Sequence, residues 1–438
     1  MSKKNSLALF LVLVIISSTS YWTPENELRE IREFYAPVEI DNGNGTWTLQ
    51  YQDDGSGGFS DAVISSANPS MVDTTSSIIE ISSDPQNGTE QRALFGIDLS
   101  TVGFMRNISI ISASLELTID TAPSIATNVM GLMTYRDWVD PSWNGATPAV
   151  SWTEPGGDSN SDTGGPNSFV AATPSSTTIS LDVTDNLKVG QARNAQGNGG
   201  FVGVMVMGAA WNSDSYLPWS MSFHSSESGI SYIRPQWNII VNWNQPATLS
   251  SVDPGWVDIE PRFGQVSADT DSPLKAQVRH EDGSVSSSPV NWNVMAGTGF
   301  VDSSGLFAPL SSGFEFICAE AINGDTGCIV LLVTPGAPVS MSIIPSNASF
   351  PVGVDIQLSA LFSDIKGNDY SASPQWSADS GTIHPNGTYE LTEVGTHRVD
   401  ASAAGLTAWT YVTLIEGSPT NLILPQDLSV KSGERISV

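Results

Sequence analysis

Hydrophobic and polar residues alternate along much of the chain. The alternation is clean in residues 114–120, 355–361 and 409–415. A period of two places successive side chains on opposite faces of a β-strand, and short runs of Gly, Pro, Asn and Asp between such segments are typical of β-sandwiches. Long amphipathic helical patterns are absent from the sequence, and short helices are predicted only at 25–35 and at 184–188. The pattern predicts an all-β protein.

The C-terminal half repeats itself. Pro345 precedes Pro425 by 80 residues, and Trp292 precedes Trp376 by 84. A period of this length favours independent sandwiches over a solenoid of short repeats. The expected repeats are residues 247–336 and 337–417, and residues 418–438 are expected to begin a third. Because one strand cannot bury a face alone, we expect the natural protein to continue past that segment.

These repeats resemble bacterial immunoglobulin-like domains of group 2. In the first repeat the resemblance lies in residues 290–294, 301–309 and 333–336, which include Trp292 and an Asp-Ser-Ser-Gly-Leu-Phe turn. The second repeat departs from the pattern, since residues 384–389 replace the turn. The resemblance implies that the tryptophan is core, that the turn is structural, and that the repeats form a spacer or stalk.

Residues 38–244 form a different block, which resembles the DNRLRE domain. The matching motifs occur in order at residues 61–70, 77–80, 92–100, 111–117, 143–152, 181–185, 223–227 and 234–237. The resemblance implies a jelly-roll-like sandwich of the kind found in exported polysaccharide-acting and surface proteins. The predicted architecture is therefore all-β, with a jelly-roll-like β-sandwich followed by tandem immunoglobulin-like β-sandwiches.

Acidic residues dominate the charge. The sequence holds 46 Asp and Glu against 17 Lys and Arg, a formal net charge of −29. A surface this negative repels nucleic acid and anionic lipid, and it suits Ca²⁺ binding or salty surroundings. The content of apolar residues and the 13 tryptophans still allow packed cores rather than a disordered acidic tail.

The first 20 residues have the pattern of an export signal. Lys3 and Lys4 precede ten apolar residues, 7–16, and the small residues 17–20 follow them. Ten residues are too few to span a bilayer, and an uncleaved anchor or a buried strand is the alternative. We expect residues 21–37 to form a linker with a short helix. The expected location is secreted or at the cell surface, without a further membrane span.

The two cysteines are expected to form a disulfide. Asn323-Gly324 is a hairpin turn signal, and a turn there sets Cys318 opposite Cys328. Export would allow the bond to form, and two unpaired buried thiols are the alternative.

The sequence contains no catalytic motif. None of the four histidines lies in an HExxH motif, and no GxSxG or phosphate-binding GxxxxGK[ST] motif occurs. Neighbouring acidic residues such as Asp53 and Asp54 would point to opposite faces of a strand. No catalytic residue is therefore predicted, and these carboxylates are expected to lie on the surface.

Two aromatic clusters in polar loops are candidates for glycan binding. Aromatic rings stack on the C–H faces of sugars, and polar side chains bind the hydroxyls. The alternative is that the rings close the ends of the sandwich. The candidate residues are Arg136, Trp138, Trp143, Trp211, Tyr216 and Trp219.

A calcium site is a further candidate. Asp158, Asn160 and Asp162 have the spacing of alternating calcium ligands, although the following glycine and the twelfth position depart from the EF-hand rule. A polar loop without metal is the alternative, and no other cofactor is expected.

Five Asn-x-Ser/Thr sequons are candidate glycosylation sites. Ordinary turns are the alternative, since Asn-Gly-Thr is common in turns. Their asparagines are Asn44, Asn87, Asn107, Asn347 and Asn386.

Three hypotheses follow for the function. In the first, the block 38–244 binds an extracellular polysaccharide and the repeats carry it. In the second, the whole chain is a structural surface or adhesion protein that contacts other proteins. In the third, it is the accessory region of a polysaccharide-acting enzyme whose catalytic domain lies beyond Val438.

Overall fold

The computed structural model describes residues 37–53, 57–84, 86–104, 108–208, 218–246, 255–261, 263–280, 284–322, 324–417 and 432. These residues are nearly all β, and the predicted class of β-sandwich domains is confirmed. The chain divides into two compact units, whose described parts are 37–246 and 255–417. The predicted export signal and the helix at 25–35 lie outside the described residues, as does nearly all of 418–438.

Within its described residues, the first unit contains fourteen strands, one α-helix and two short 3₁₀ helices. Its elements are β1 (Val38–Asp41), β2 (Trp47–Gln52), β3 (Phe59–Ser65), β4 (Ile78–Asp84), β5 (Thr89–Asp98), β6 (Ile108–Thr121), β7 (Thr127–Thr134), β8 (Gly145–Thr147), β9 (Val150–Ser151), η1 (Pro155–Gly157), β10 (Thr163–Ala172), β11 (Thr178–Asp182), α1 (Thr184–Gln196), β12 (Phe201–Gly208), β13 (Trp219–His224), η2 (Ser231–Ile233) and β14 (Gln236–Pro246).

Strand β6 links the two halves of the main sheet. Its first part pairs with β14 on one side and with β11 on the other. From β14 the sheet continues through β2 to β1. The end of β6 pairs with β13, which leads through β4, β5 and β12 to β7 and β10. Residues of both halves share one hydrophobic core, in which Leu115 and Trp237 of the first half join Phe95 and Phe223 of the second. The sandwich is therefore one sheet that folds over at β6.

Helix α1 is longer than the sequence predicts. It runs for 13 residues rather than a single turn, and it ends at Gly197, whose φ of 84° suits glycine. The Thr184 hydroxyl does not cap it. It accepts a hydrogen bond from the amide of Ala113 at 2.9 Å and donates one to Asp182 at 2.6 Å. The helix lacks a clear apolar stripe because it buries polar residues such as Asn186 and Gln191.

The described part of the second unit, residues 255–417, contains two domains with ten strands each. The first domain has β15 (Gly255–Glu260), β16 (Phe263–Ser267), β17 (Ser272–Pro273), β18 (Lys275–His280), β19 (Val285–Ser286), β20 (Val290–Ala296), β21 (Phe300–Val301), β22 (Leu306–Ala308), β23 (Gly313–Ala321) and β24 (Thr326–Thr334). The second has β25 (Pro338–Ile344), β26 (Ala348–Pro351), β27 (Ile356–Gln357), β28 (Ser359–Asp364), β29 (Asp369–Tyr370), β30 (Gln375–Ala378), β31 (Thr382–Ile383), β32 (Thr388–Glu390), β33 (Gly395–Ala403) and β34 (Leu406–Ile415).

The two domains have the same topology. The sheets β15-β18-β19, β16-β24-β23-β20 and β17-β22-β21 recur as β25-β28-β29, β26-β34-β33-β30 and β27-β32-β31. In each domain one pair, β16 with β24 and β26 with β34, is parallel. The repeat seen in the sequence is thus a repeat of the whole strand order.

The sequence similarity between the two repeats lies in their core and turn residues. Phe307 and Tyr389 are buried at equivalent places, and Trp292 and Trp376 pack against the two cores. In the first domain Asp302 holds the turn, since its carboxylate accepts hydrogen bonds from the amides of Ser304 and Leu306 at 2.8 and 3.0 Å. The turn residues therefore have a structural role.

Two aspartates hold the connection between these domains. The amide of Gly336 donates to Asp364 at 2.8 Å, and the amide of Ala337 donates to Asp269 at 3.1 Å. Asp364 is buried, which alone would raise its pKa, but hydrogen bonds from Asn368, Gly336 and Lys366 outweigh burial and lower it. The carboxylate therefore stays charged and keeps the linker amides paired.

Direct contacts reinforce this connection. Asn368 accepts a hydrogen bond from the amide of Ser312 at 2.8 Å, and the ammonium of Lys366 donates to the carbonyl of Pro309. Asn368 and Lys366 both lie in the turn between β28 and β29. The two domains are thus joined by linker and surface contacts together.

The two cysteines form the disulfide that the sequence predicts. Strands β23 and β24 pair with Cys318 directly opposite Cys328, and the two sulfurs are bonded. The amide of Gly324 donates to the carbonyl of Ala321 at the turn. The bridge therefore closes a hairpin that backbone hydrogen bonds already define.

Removing this disulfide should weaken only the first domain of the second unit. The double variant Cys318→Ser, Cys328→Ser is expected to lose about 2 kcal/mol of unfolding free energy in that domain, the low end for so short a loop. Hydrogen exchange with mass spectrometry measures each domain separately. Faster exchange in β23 and β24 with unchanged exchange in β33 and β34 is expected, and unchanged exchange in both would contradict it.

Candidate functional site

The predicted aromatic loop between β7 and β10 packs inward. Trp138 is 2% exposed and lies edge-on to Phe201, with ring centroids 5.3 Å apart. Trp219, the first residue of β13, is 5% exposed and belongs to the hydrophobic core. A buried ring offers no face to a sugar, so both residues are corrected from candidate glycan ligands to core residues. Trp211 and Tyr216 lie outside the described residues.

Trp143 is half-buried beneath a buried arginine. The guanidinium of Arg92 lies 4.8 Å from the centroid of the Trp143 ring, a cation–π contact. Gly156 also lies against this ring, and glycine is required there because a Cβ would lie 2.8 Å from the ring and φ is 82°. Trp143 is therefore held between two parts of the fold.

Arg92 is the centre of this cluster. It donates to Glu90 through Nε and Nη2 at 2.9 Å each, and through Nη1 to Asp158 at 2.6 Å and to the carbonyl of Gly156 at 2.8 Å. Burial alone would lower the pKa of Arg92, but the charges of Glu90 and Asp158 outweigh it and raise the pKa. The guanidinium is buried, its partners Glu90 and Asp158 are 20% and 42% exposed, and each of its nitrogens has an acceptor.

A second arginine holds the next acidic residue. Asp162 is completely buried and accepts hydrogen bonds from Nε of Arg136 and from the amide of Thr153, both at 2.6 Å. Asp158 and Asp162 thus each have their own protein cation. This corrects their prediction as ligands of one calcium ion together with Asn160, and it makes Arg136 a structural residue as well.

The part of the chain that the structure describes contains no group of three or more His, Cys, Asp or Glu residues that could hold a metal ion. The four sequon asparagines within that part are exposed and lie in turns. Asn44, for example, accepts a hydrogen bond from the amide of Thr46 at 3.1 Å, and Asn386 accepts one from Thr388 at 3.1 Å. Asn107 lies outside the described residues.

The outward face of the first unit forms a groove instead. The groove has a volume of about 440 Å³ and lies over β2, β14, β6 and β11, with β10 beside them. Small hydroxyl and amide side chains dominate its lining. They include Thr48, Ser112, Ser114, Ser168, Ser180 and Asn238.

Strand register brings these side chains together. Ser114 lies opposite Asn238 on one side and Asp182 on the other, while Ser112 lies opposite Ile240. The neighbours of Ser114 and Asn238 in the same strands, Leu115 and Trp237, point into the core. Because side chains alternate along a strand, burial of those neighbours forces the polar residues outward. We call this surface the outer groove.

The outer groove is polar but almost uncharged. No lysine or arginine is among its lining residues. Its one carboxylate, Asp182, already accepts hydrogen bonds from the amide and the hydroxyl of Thr184 at 2.9 and 2.6 Å. Within the described residues, the hydroxyls of Ser112, Ser114 and Ser180 have no side-chain hydrogen bond to the protein. These groups are available to a ligand that both donates and accepts hydrogen bonds.

Sequence reasoning missed the outer groove. Its residues come from strands far apart in the chain, and serine on a solvent-facing strand is ordinary. The one signal present in the sequence is the alternation in residues 114–120, which places Ser114 and Glu116 on the face opposite Leu115 and Leu117.

No family model matches the chain. No curated protein matches it. Among the described residues, no helix combines the length and the apolar content that crossing a membrane requires.

Solved structures with partial similarity are surface and extracellular proteins. The S-layer protein rSbsC(31-844) matches at 12% identity and a TM-score of 0.21 over 38% of this chain and 28% of that one. Mouse cadherin-23 EC22-24 matches at 13% identity and a TM-score of 0.26, over 38% of this chain and 66% of that one. The N-terminal four Ig domains of Dscam1 isoform 1.9 match at 13% identity and a TM-score of 0.24, over 37% of this chain and 46% of that one. This chain thus spans less than two thirds of each, and only its own geometry can indicate what it binds.

Removing the buried guanidinium should destabilise the first unit. Arg92→Met leaves Glu90 and Asp158 without their cation, so a loss of about 3 kcal/mol in unfolding free energy is expected. The matched control is Arg398→Met, which breaks the exposed pair with Asp400 and should cost less than about 1 kcal/mol. Urea unfolding measures both, and equal losses would contradict the assignment.

Asp61 in β3 should make stability depend on pH. Burial raises its pKa to about 6, against the hydrogen bond that the amide of Ser226 donates to it. Because the folded state binds this proton more tightly than the unfolded state, the contribution of Asp61 to stability is greatest below pH 4 and is lost as pH rises through 6. Two pKa units correspond to about 3 kcal/mol.

The variant Asp61→Asn isolates this effect, since asparagine does not titrate. The difference in unfolding free energy between Asp61→Asn and the wild type should change by about 2 kcal/mol between pH 4 and pH 7. Thermal or urea unfolding across this range measures it. Parallel curves for the two proteins would show that Asp61 titrates normally.

Proposed function

We propose that this chain is a non-catalytic, extracellular surface protein whose first unit binds a neutral glycan in the outer groove. The observation that carries the proposal is the lining of the groove: hydroxyl and amide groups on a concave sheet face, with no lysine or arginine. The first two hypotheses drawn from the sequence remain in this form, with the binding residues moved from the loops to the sheet.

The chemistry of the lining suits a sugar chain. Hydroxyls of Ser112 and Ser114 can donate and accept, which matches the hydroxyls of a saccharide, while the amide of Asn238 is held by Gln50 and Gln236. The side chains of Val170 and Ile240 provide apolar contacts for the C–H faces of a sugar ring. The volume of about 440 Å³ lies within the usual range of ligand sites. A polyanion such as alginate would find no cation in the groove.

The same lining supports binding rather than hydrolysis. Glycoside hydrolysis in most enzymes needs two carboxyl groups on either side of the bond. The groove contains only Asp182, which is engaged by Thr184. The proposal therefore assigns no catalytic residue to this unit.

The second unit suits a spacer. Its two domains repeat one topology, and buried Asp364 pairs with the linker amide of Gly336 between them. The resemblances to DNRLRE domains and to bacterial immunoglobulin-like domains of group 2 point to the same division of labour, and the signal-like residues 1–20 agree with export.

A purely structural surface or adhesion protein is the second candidate. The repeated topology and the paired linker favour it, because both serve a spacer that binds nothing. It differs from the main proposal in requiring no ligand for the outer groove.

A variant that fills the outer groove should distinguish the glycan-binding proposal from the purely structural candidate. Ser114→Tyr places a bulky side chain at its centre and should abolish retardation of the first unit in native gels that contain mixed-linkage β-glucan, glucomannan or galactomannan. The matched control is Ser109→Tyr in the same strand, outside the lining. Loss of binding in the first variant alone is expected. Equal mobility of both variants and the wild type in all three gels would support the structural candidate instead.

A further inference from the structure

Two aromatic side chains are exposed to solvent on strand β34 of the second unit. Trp409 is 56% exposed and Tyr411 is 42% exposed, whereas Thr410, Val412 and Leu414 of the same strand are buried. The alternation along β34 therefore turns both rings to the outward face of the sheet β26-β34-β33-β30.

An ion pair on the neighbouring strand supports the rings. Asp400 lies directly opposite Trp409, and Arg398 lies opposite Tyr411. The Arg398 guanidinium donates to Asp400 through Nε at 3.0 Å and through Nη2 at 2.6 Å, and it lies 5.3 Å from the centroid of Trp409. We call these four residues the aromatic platform.

The fold itself does not require these aromatic residues. Trp292 pairs with Ala319 in the first domain as Trp376 pairs with Ala401 in the second. One position before each alanine, the cross-strand pair is Cys318 with Cys328 in the first domain and Asp400 with Trp409 in the second. The same place in the same topology is thus stabilised without an exposed ring, and the aromatic platform needs another explanation.

The size of the aromatic platform favours a small ligand unit over a protein. The two rings together expose roughly 200 Å² of largely apolar surface, from side chains that bury 150–250 Å² each when covered. A stable protein interface needs about 800 Å² on each partner. One or two sugar rings need no more than the two aromatic faces offer.

The rim and the charge agree with a neutral sugar. Hydroxyls surround the rings: Thr396 and Thr413 are hydrogen-bonded at 3.0 Å on one side, and Ser402 lies opposite Thr407 on the other. Arg398 and Asp400 offer a donor and an acceptor while neutralising each other. The net charge of −29 opposes both a second copy of the chain and an anionic polymer.

We infer that the aromatic platform is a second glycan-binding site for a neutral polysaccharide, which stacks one sugar ring on Trp409 and the next against Tyr411. The two aromatic rings are inclined at 67° with centroids 5.3 Å apart, so each takes its own sugar. Arg398 and Asp400 bind the hydroxyls at the edge of the first sugar ring. This site is independent of the outer groove, since it lies on the second domain of the other unit. It would give the chain two contacts with a polysaccharide, whose combined affinity exceeds that of either one.

Affinity electrophoresis of the full chain tests this site. Native gels contain mixed-linkage β-glucan, glucomannan or galactomannan, with alginate as the anionic comparison. Trp409→Ala and Tyr411→Ala should each weaken the retardation by at least one neutral polysaccharide about tenfold in Kd. Trp409→Tyr keeps a ring and should retain binding. Tyr232→Ala removes an 80% exposed aromatic from the first unit and should change nothing.

The groove variant Ser114→Tyr distinguishes the two sites. If it still binds and Trp409→Ala in the same chain removes the remainder, the aromatic platform is a separate site. If Ser114→Tyr alone abolishes all retardation, or Trp409→Ala binds as the wild type does, this inference is overturned while the outer groove stands. Sedimentation that changes from dimer to monomer in Trp409→Ala, without polysaccharide binding by the wild type, would overturn it in favour of a second copy of the chain.

Discussion

The alternation of side chains along a strand is the constraint on which the rest of this structure depends. Each sheet has one face that packs and one that does not, so residues next to each other in the chain have opposite surroundings. Trp237 is 1% exposed while its neighbour Asn238 lines the outer groove. Val412 is fully buried while Tyr411 stands in the open. Both proposed binding sites are outward faces created by the burial of the inward ones.

The loops have a different role from the sheets. Arg92 of β5 and Arg136 hold the chain between β7 and β10 through Asp158 and Asp162, while Trp138 packs on Phe201 and Trp143 on Arg92. Buried charges need partners, so such a network specifies one loop conformation rather than a surface open to ligands. The linker between the repeated domains follows the same rule, since the carboxylates of Asp364 and Asp269 accept from the amides of Gly336 and Ala337.

Much of the fold could be predicted from the sequence, and much of the site could not. Alternation predicts strands, spacing predicts the repeats, and a turn signal between Cys318 and Cys328 predicts their pairing. The aromatic residues in polar loops are candidates for glycan binding or for closing the sandwich ends, and the sequence cannot choose because the burial of the Arg92 guanidinium is invisible in a one-dimensional pattern. The outer groove depends on the register between Ser114 and Asn238, which are distant in sequence. Trp409 lies in a segment whose alternation was evident, yet which of its two faces is buried follows only from the packing.

Hydroxyl-radical footprinting with a bound neutral polysaccharide tests most directly the claim that ligands meet the sheet faces and not the loops. The account predicts that Trp409 and Tyr411 become protected when glucomannan is added, and that oxidation of the half-buried Trp143 stays unchanged. Protection of Trp143 and its loop, with no change at Trp409 and Tyr411, would contradict it.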